Sequence, residues 1–236
     1  MSKKKKKKRL NIKRTLAFAL FIYIICYGIY YLVNQPIRHI EITGNNLILE
    51  SEILRVSKLK DYPSIFKYSS NTLEKRIKTI KLVDEVEVKK WFGHILKIEI
   101  KENKLLFYYN DKIVLSNGDI VKNNLNNVYG IPTFNSSVDT KLLNDFVDGF
   151  RELNDNIIFE MNEIEYVPST NEEGEVIETD RFKITMNDGN TIITNSKSVS
   201  VLNKYNDIYA SLGGKLGTIN LDTNEINNLI FIPYEE

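Results

Sequence analysis

"LVDEVEVKKWFGHILKIEIKEN", residues 82–103, is the stretch that decides the fold of the first folded region. Apolar residues alternate with charged ones on both sides of its central "WFGH" segment: Val86, Val88, Leu96, Ile98 and Ile100. A period of two predicts two strands, each with one apolar and one charged face. Because "WFGH" contains Gly93, a favourable turn residue, we predict that the two strands form a hairpin.

The residues before this hairpin complete a small α+β pattern. "IRHIEITGNN", residues 37–46, alternates in the same way and ends in the turn signal Gly44-Asn45. Residues 50–60 and 71–80 then carry apolar residues at helical spacing, with Ser51 and Asn71 as expected N-caps. Glu74 stands three residues after Asn71, as in a capping box. The order strand, helix, helix, strand, strand predicts two helices on one face of a three-stranded sheet.

An uncharged segment precedes this pattern. The eighteen residues from Leu16 to Val33 would rise roughly 27 Å as a helix, close to the thickness of a bilayer core. The flank "YYLVNQP" offers no small residues for signal-peptide cleavage, and the bulky residues before Cys26 suit lipoprotein processing poorly. We therefore predict an uncleaved transmembrane helix over residues 15–34.

The charge distribution gives this helix an orientation. Nine of the first fourteen residues are Lys or Arg, which by the positive-inside rule predicts a cytoplasmic tail over residues 1–14. Without these nine, 23 basic residues remain against 31 acidic ones, so the rest of the chain carries a net charge of −8. We expect membrane orientation, and not nucleic-acid binding, to be the role of the basic tail.

Taken in order, these segments resemble a known family. The shared features are the span, a strand ending in Gly-Asn, and a later strand pair of fixed spacing: Ile42, Gly44, Asn45, Val83, Val86, Val88, Trp91, Leu96, Ile98, Ile100 and Glu102. This set resembles the POTRA domain of the FtsQ/DivIB family of bacterial cell-division proteins. The chain departs from the family pattern at Phe92 and near Lys104, where proline is frequent.

The second half of the chain predicts a mixed antiparallel-sheet domain with flanking helices. Strand patterns occupy most of residues 104–236, with helical spacing in "NSSVDTKLLNDFVDGFREL" and "VSVLNKYNDIYASLGG". The acidic segment "PSTNEEGEVIETD" is predicted to be an exposed loop. Together these patterns predict a tail at 1–14, a span at 15–34, a POTRA-like domain at 35–103 and a distal β-rich domain at 104–236. The fold class is α+β.

The last strand is the candidate binding site. A run of β-favouring residues ends at Pro233, which suits an edge strand or a strand end. From the residues alone, a partner-binding edge and an ordinary core strand are equally compatible with this run. The family resemblance implies the edge, with FtsB/DivIC- and FtsL-type division proteins as partners. The expected partner-binding residues are Thr223, Leu229, Ile230, Phe231 and Ile232.

The inventory of chemically reactive groups favours a binding protein over an enzyme. The chain has two histidines, His39 and His94, and neither lies at a metal-ligand spacing from a Cys, Asp or Glu. The sole cysteine falls in the predicted span, so we expect no disulfide and no external thiol nucleophile. We expect no catalytic residues, no cofactor, no metal and no small-molecule substrate.

The resulting prediction is a bitopic scaffold of the bacterial division septum, with its C-terminal domains outside the plasma membrane. Two alternatives remain open at this level. One is a POTRA-bearing factor for export or envelope assembly, against which stands the single POTRA-like unit. The other is a membrane-anchored cell-wall hydrolase, which would need two convergent carboxylates in a cleft.

Overall fold

The structure is a computed structural model that describes residues 11–123, 128–221 and 229–235. Its helices are α1 Ile12–Val33, α2 Glu50–Ser57, α3 Ser70–Ile77, α4 Thr140–Phe150, α5 Asp155–Phe159 and α6 Tyr205–Ser211, with a 3₁₀ helix at Val199–Lys204. Its strands are β1 His39–Thr43, β2 Val83–Trp91, β3 Ile95–Glu102, β4 Leu105–Tyr109, β5 Lys112–Leu115, β6 Ile120–Lys122, β7 Thr133–Phe134, β8 Met161–Tyr166, β9 Ser169–Thr170, β10 Val176–Glu178, β11 Phe182–Met186, β12 Thr191–Thr194, β13 Gly217–Asn220 and β14 Ile230–Pro233. The chain divides into two compact units, residues 1–80 with 85–101 and residues 81–84 with 102–236.

Within the described ranges, α1 is the one helix long and apolar enough to cross a membrane, with a mean hydropathy of 2.2. It begins three residues before the predicted span because Lys13 and Arg14 continue the helix. Its C-cap is Asn34, whose side-chain Nδ2 donates to the Tyr30 carbonyl at 2.8 Å. The sequence-based expectation of a single N-terminal apolar helix is confirmed.

The first unit has the predicted strand, helix, helix, strand, strand order. Its three strands lie in the order β1-β3-β2, and β1 runs parallel to β3. One side of β3 is buried together with the apolar stripes of α2 and α3 in a core that includes Ile53, Leu59, Leu73, Ile77, Leu96 and Ile98. Gly44 has a φ of +80°, and a Cβ there would overlap the Ile100 carbonyl. The Gly-Asn turn after β1 therefore requires glycine.

Helix capping in this unit differs from the sequence-based prediction. The N-cap of α2 is Leu49 rather than Ser51, and that of α3 is Ser69 rather than Asn71. The Ser69 Oγ accepts from the Thr72 N–H at 3.2 Å. Glu74 does not complete a capping box, because its Oε1 accepts from the Val88 N–H of β2 at 3.0 Å.

The second unit is built on one nine-stranded mixed sheet, in the order β14-β13-β12-β11-β8-β7-β4-β5-β6. Its helical side is packed by aromatic rings that are almost completely buried: Phe107, Phe134, Phe146, Phe150 and Phe182. The rings of Phe146 in α4 and Phe182 in β11 lie 4.1 Å apart between centroids. The acidic segment predicted as a loop instead contains the hairpin β9–β10. The predicted α+β fold class is confirmed.

Candidate partner-binding edge

The last strand of the chain lies at one end of the nine-stranded sheet. β14 pairs antiparallel with β13, and Phe231 lies opposite Ile219. In the described part of the chain, the sheet order continues no further on the other side of β14. An edge strand of this kind offers unpaired main-chain groups to another chain.

The two faces of β14 differ in burial. Ile230 and Ile232 are 57% and 60% exposed, and they share a face with their cross-strand partners Asn220 and Thr218. Phe231 points to the opposite face, where it is half-buried and lies opposite the fully buried Ile219. The strand is therefore attached to the core through Phe231, while two adjacent aliphatic side chains on its other face remain open to solvent.

Gly217 provides the space in which Phe231 packs. A Cβ at residue 217 would overlap the Ile232 carbonyl oxygen and would lie only 2.6 Å from the Phe231 Cε2. Its own N–H donates to the Asn190 Oδ1 at 2.9 Å. A side chain at this position would therefore push the last strand away from β13.

A hydrogen-bonded cluster with Tyr205 and Asp188 holds the fully buried Asn190 in place next to this strand pair. The Asn190 Nδ2 donates to the Tyr205 hydroxyl oxygen at 2.9 Å and to the Asp188 Oδ2 at 3.1 Å. The Tyr205 hydroxyl donates to the same Asp188 Oδ2 at 2.6 Å. Burial, followed by the hydrogen bond to Asp188, raises the pKa of Tyr205 above its ordinary value, so Tyr205 stays a neutral donor.

The pairing of β14 shows which of its main-chain N–H and C=O groups point toward β13 and which point toward the open edge. The Tyr234 N–H donates to the Leu216 carbonyl at 3.1 Å, so Tyr234 faces β13. In an antiparallel pair, residues alternate between facing the partner strand and facing away from it. The main-chain N–H and C=O groups of Ile230 and Ile232 therefore point toward β13, whereas those of Phe231 point toward the open edge. Pro233 also faces outward but has no N–H to donate.

Four of the five residues predicted to bind a partner are thus brought together. Ile230, Phe231 and Ile232 form the edge strand, and Leu229 precedes it in a half-buried position. Thr223 lies outside the described residues. Gly217 and Asn190 were missed by the sequence analysis, although a glycine inside a strand pattern is a known signal of close backbone approach.

The two histidines belong to the first unit, whereas this edge strand belongs to the second. His39 is an exposed residue of β1, and His94 occupies the turn between β2 and β3 with a φ of +63°. The described ranges contain no group of three or more His, Cys, Asp or Glu side chains placed to hold a metal ion. Several carboxylates of the first unit are paired with lysines, including Glu85 with Lys101 at 2.6 Å.

Comparison with known proteins supports the domain pattern. The sequence model of the FtsQ-type POTRA domain matches residues 35–103. The chain is 24% identical over 218 residues to the cell division protein DivIB of Staphylococcus pseudintermedius, covering 85% of this chain and 69% of that protein. It is 26% identical over 229 residues to DivIB of Bacillus subtilis, covering 93% of this chain and 84% of the relative.

A solved structure is also similar over part of the chain. It is the major extracytoplasmic domain of the trans isomer of DivIB from Geobacillus stearothermophilus, at 22% identity and a TM-score of 0.37. The match covers 48% of this chain and 97% of that domain.

These features define a membrane-anchored protein with one POTRA domain followed by a β-rich domain. Within that class, residues 35–103 match the FtsQ-type POTRA domain, and the chain is similar along most of its length to DivIB cell division proteins. Its relatives are division proteins, and its single N-terminal apolar helix fits a bitopic membrane protein.

Proposed function

We propose that the protein is a non-enzymatic scaffold of the division machinery whose β14 edge binds an extended segment of an FtsB/DivIC- or FtsL-type partner. The observation that carries this proposal is the position of β14 at the end of the sheet, with Ile230 and Ile232 exposed. The partner segment adds a tenth strand, so that its main chain pairs with the outward-facing groups of Phe231.

The side chains of β14 supply the specificity of this binding mode. In strand addition, main-chain hydrogen bonds give affinity and alternate side chains select the partner. Apolar residues of the added strand would lie beside Ile230 and Ile232, and such cross-strand pairs each contribute roughly 0.2–1 kcal/mol. The exposed aliphatic pair therefore favours an apolar or aromatic partner segment.

The edge strand β2 of the first unit is less open to strand addition than β14. β2 is nine residues long and lies at the end of the POTRA sheet. There the Val88 N–H is already bound by the Glu74 carboxylate. A side chain that occupies an edge donor in this way blocks pairing with a foreign strand. This contrast favours β14 over β2 as the binding edge.

The membrane span adds to the affinity of the edge. We place the basic tail in the cytoplasm and both folded units outside the plasma membrane, with enrichment at the septum. Partners that are themselves anchored in the same membrane meet the edge at a raised effective concentration. A modest affinity between the isolated parts is therefore sufficient to hold the complex together.

The test is a double substitution, Ile230→Ser with Ile232→Ser, and a matched control, Ile177→Ser. Ile177 is also an exposed strand isoleucine of the second unit, but it lies in the β9–β10 hairpin. We expect the double variant to lose at least about tenfold in affinity for the FtsB/DivIC–FtsL ectodomains, equivalent to about 1.4 kcal/mol. The control should bind normally, and all three proteins should keep the same Tm because these side chains are exposed. Wild-type affinity in the double variant would refute the proposal.

A further inference from the structure

Outside α1, three aromatic side chains of the first unit are more than half exposed to solvent. Phe66 is 59% exposed, Trp91 is 57% exposed, and Phe92 is fully exposed. We refer to these three residues as the aromatic surface. Exposed apolar side chains that gather in one place mark an interaction site more often than scattered ones do.

The three rings come from two loops that lie side by side. Phe66 is in the connection between α2 and α3, whereas Trp91 and Phe92 are at the turn between β2 and β3. The Lys90 ammonium joins the two loops: it lies 6.0 Å from the centroid of the Phe66 ring and donates to the Tyr68 carbonyl at 2.6 Å. The two loops that carry the rings therefore lie next to each other at one end of the unit.

This surface lies at the point where the chain leaves the membrane helix. The Ser64 hydroxyl donates to the carbonyl of Val33, the last residue of α1. The Ile37 N–H donates to the Pro63 carbonyl at 3.0 Å, and the Arg38 N–H donates to the His94 carbonyl at 2.9 Å. Both loops are thus bonded to residues within five positions of the end of the span.

We infer that the aromatic surface inserts into the headgroup region of the bilayer in which α1 is anchored. Tryptophan and other amphipathic rings favour the membrane–water interface, where one side of the ring is wet and the other is apolar. The Lys97 ammonium lies 5.4 Å from the centroid of the Trp91 ring and also pairs with the Glu41 carboxylate at 2.8 Å, so a charged pair accompanies the ring. The contact fixes the POTRA domain against the membrane surface and is separate from partner binding at β14.

The experiment uses the full chain reconstituted into lipid vesicles. Trp91 is the single tryptophan of the protein, so its fluorescence reports on this surface without further labelling. Phospholipids brominated near the headgroup end of the acyl chain should quench Trp91 strongly, and lipids brominated near the terminal methyl should quench it less. We expect the lipid brominated near the headgroup to quench Trp91 several-fold more strongly than it quenches the tryptophan of a control protein.

The control combines Trp91→Phe with Leu49→Trp. Leu49 is exposed and follows β1, which runs away from the span for five residues, or roughly 16 Å. Its tryptophan should be quenched weakly by either lipid. A second variant, Phe92→Ser, keeps Trp91 as the reporter and should reduce its quenching, since Phe92 is fully exposed and its loss leaves the core unchanged.

Equal, weak quenching of Trp91 and the control tryptophan would overturn the inference. A Trp91 blue shift that grows with the protein-to-lipid ratio, without lipid quenching, would also overturn it and would indicate contact with a second copy. Loss of partner binding has no bearing on either result, because the vesicles contain this chain alone.

Discussion

Gly217 shows how much of the candidate site depends on one residue. Its missing side chain allows the Phe231 ring to pack against β13, and its N–H is bound by the buried Asn190. Phe231 could be predicted as a site residue because it belongs to an unbroken apolar run before a proline. Gly217 and Asn190 could not, because their roles depend on how three segments distant in the sequence are aligned in space.

We predict that Gly217→Ala destabilises the protein and detaches β14. The new Cβ would meet a backbone oxygen, that of Ile232, which cannot rotate away as a flexible side chain could. Overpacking of this kind costs about 1–3 kcal/mol. Thermal unfolding and amide hydrogen exchange of Ile230 and Ile232, whose N–H groups face β13, measure the effect.

The control for this substitution is Thr218→Ala on the same strand. Thr218 is half-exposed, so its change removes a small side chain without introducing a contact. A Tm for Gly217→Ala equal to that of Thr218→Ala, with unchanged exchange in β14, would show that the close approach of the two strands is not required.

At the scale of elements, hydrophobic periodicity predicts the helices and strands better than it predicts their ends. The hairpin over residues 82–103 and the turn at Gly44 agree with the structure because each is set by local alternation and a glycine. The N-cap of α3 does not agree, because Ser69, Ser70 and Asn71 are consecutive candidates. Glu74, which the local pattern assigns to a capping box, instead accepts from the Val88 N–H across the unit, and local sequence does not encode this contact.

The alternation of main-chain groups along β14 gives a prediction about its two central residues. Phe231→Pro removes an outward-facing N–H, whereas Ile232→Pro removes one that bonds to β13. We expect Ile232→Pro to lower the Tm strongly. Phe231→Pro should resemble Phe231→Ala in stability, with a loss on the order of 2 kcal/mol from the half-buried ring.

Partner binding separates the two Phe231 variants. Both lack the ring, but the Pro variant also lacks the N–H that would donate to a carbonyl of an added strand. The affinity of Phe231→Pro for the FtsB/DivIC–FtsL ectodomains should therefore fall below that of Phe231→Ala, when both are measured per folded molecule. Equal affinities would mean that β14 binds through side chains rather than by strand addition.

At the scale of the whole molecule, the sequence predicts an anchor followed by two folded parts, with a boundary after residue 103. The compact units of the structure divide differently at one point, because Lys81–Asp84 belong to the second unit. Within that unit, the Asn103 N–H donates to the Leu82 carbonyl at 2.7 Å, and Lys81 pairs with Asp119 at 3.0 Å. The strand pattern of β2 predicts that its first residues belong to the first unit, but their contacts assign them to the second. Periodicity along a single strand carries no information about such a division.

The orientation in the membrane is the prediction that concerns the entire chain. The nine basic residues of the tail favour the cytoplasmic side, so both folded units should lie outside. Because Cys26 is the sole cysteine, Cys26→Ser provides a background in which one new thiol reports on one side of the membrane. Ser51→Cys tests the exposed face of α2, and Ser2→Cys, chemically the same change, tests the tail. A membrane-impermeant maleimide should label Ser51→Cys in intact spheroplasts and Ser2→Cys only after lysis. The reverse pattern would place the folded units in the cytoplasm and would exclude binding to the external parts of division proteins.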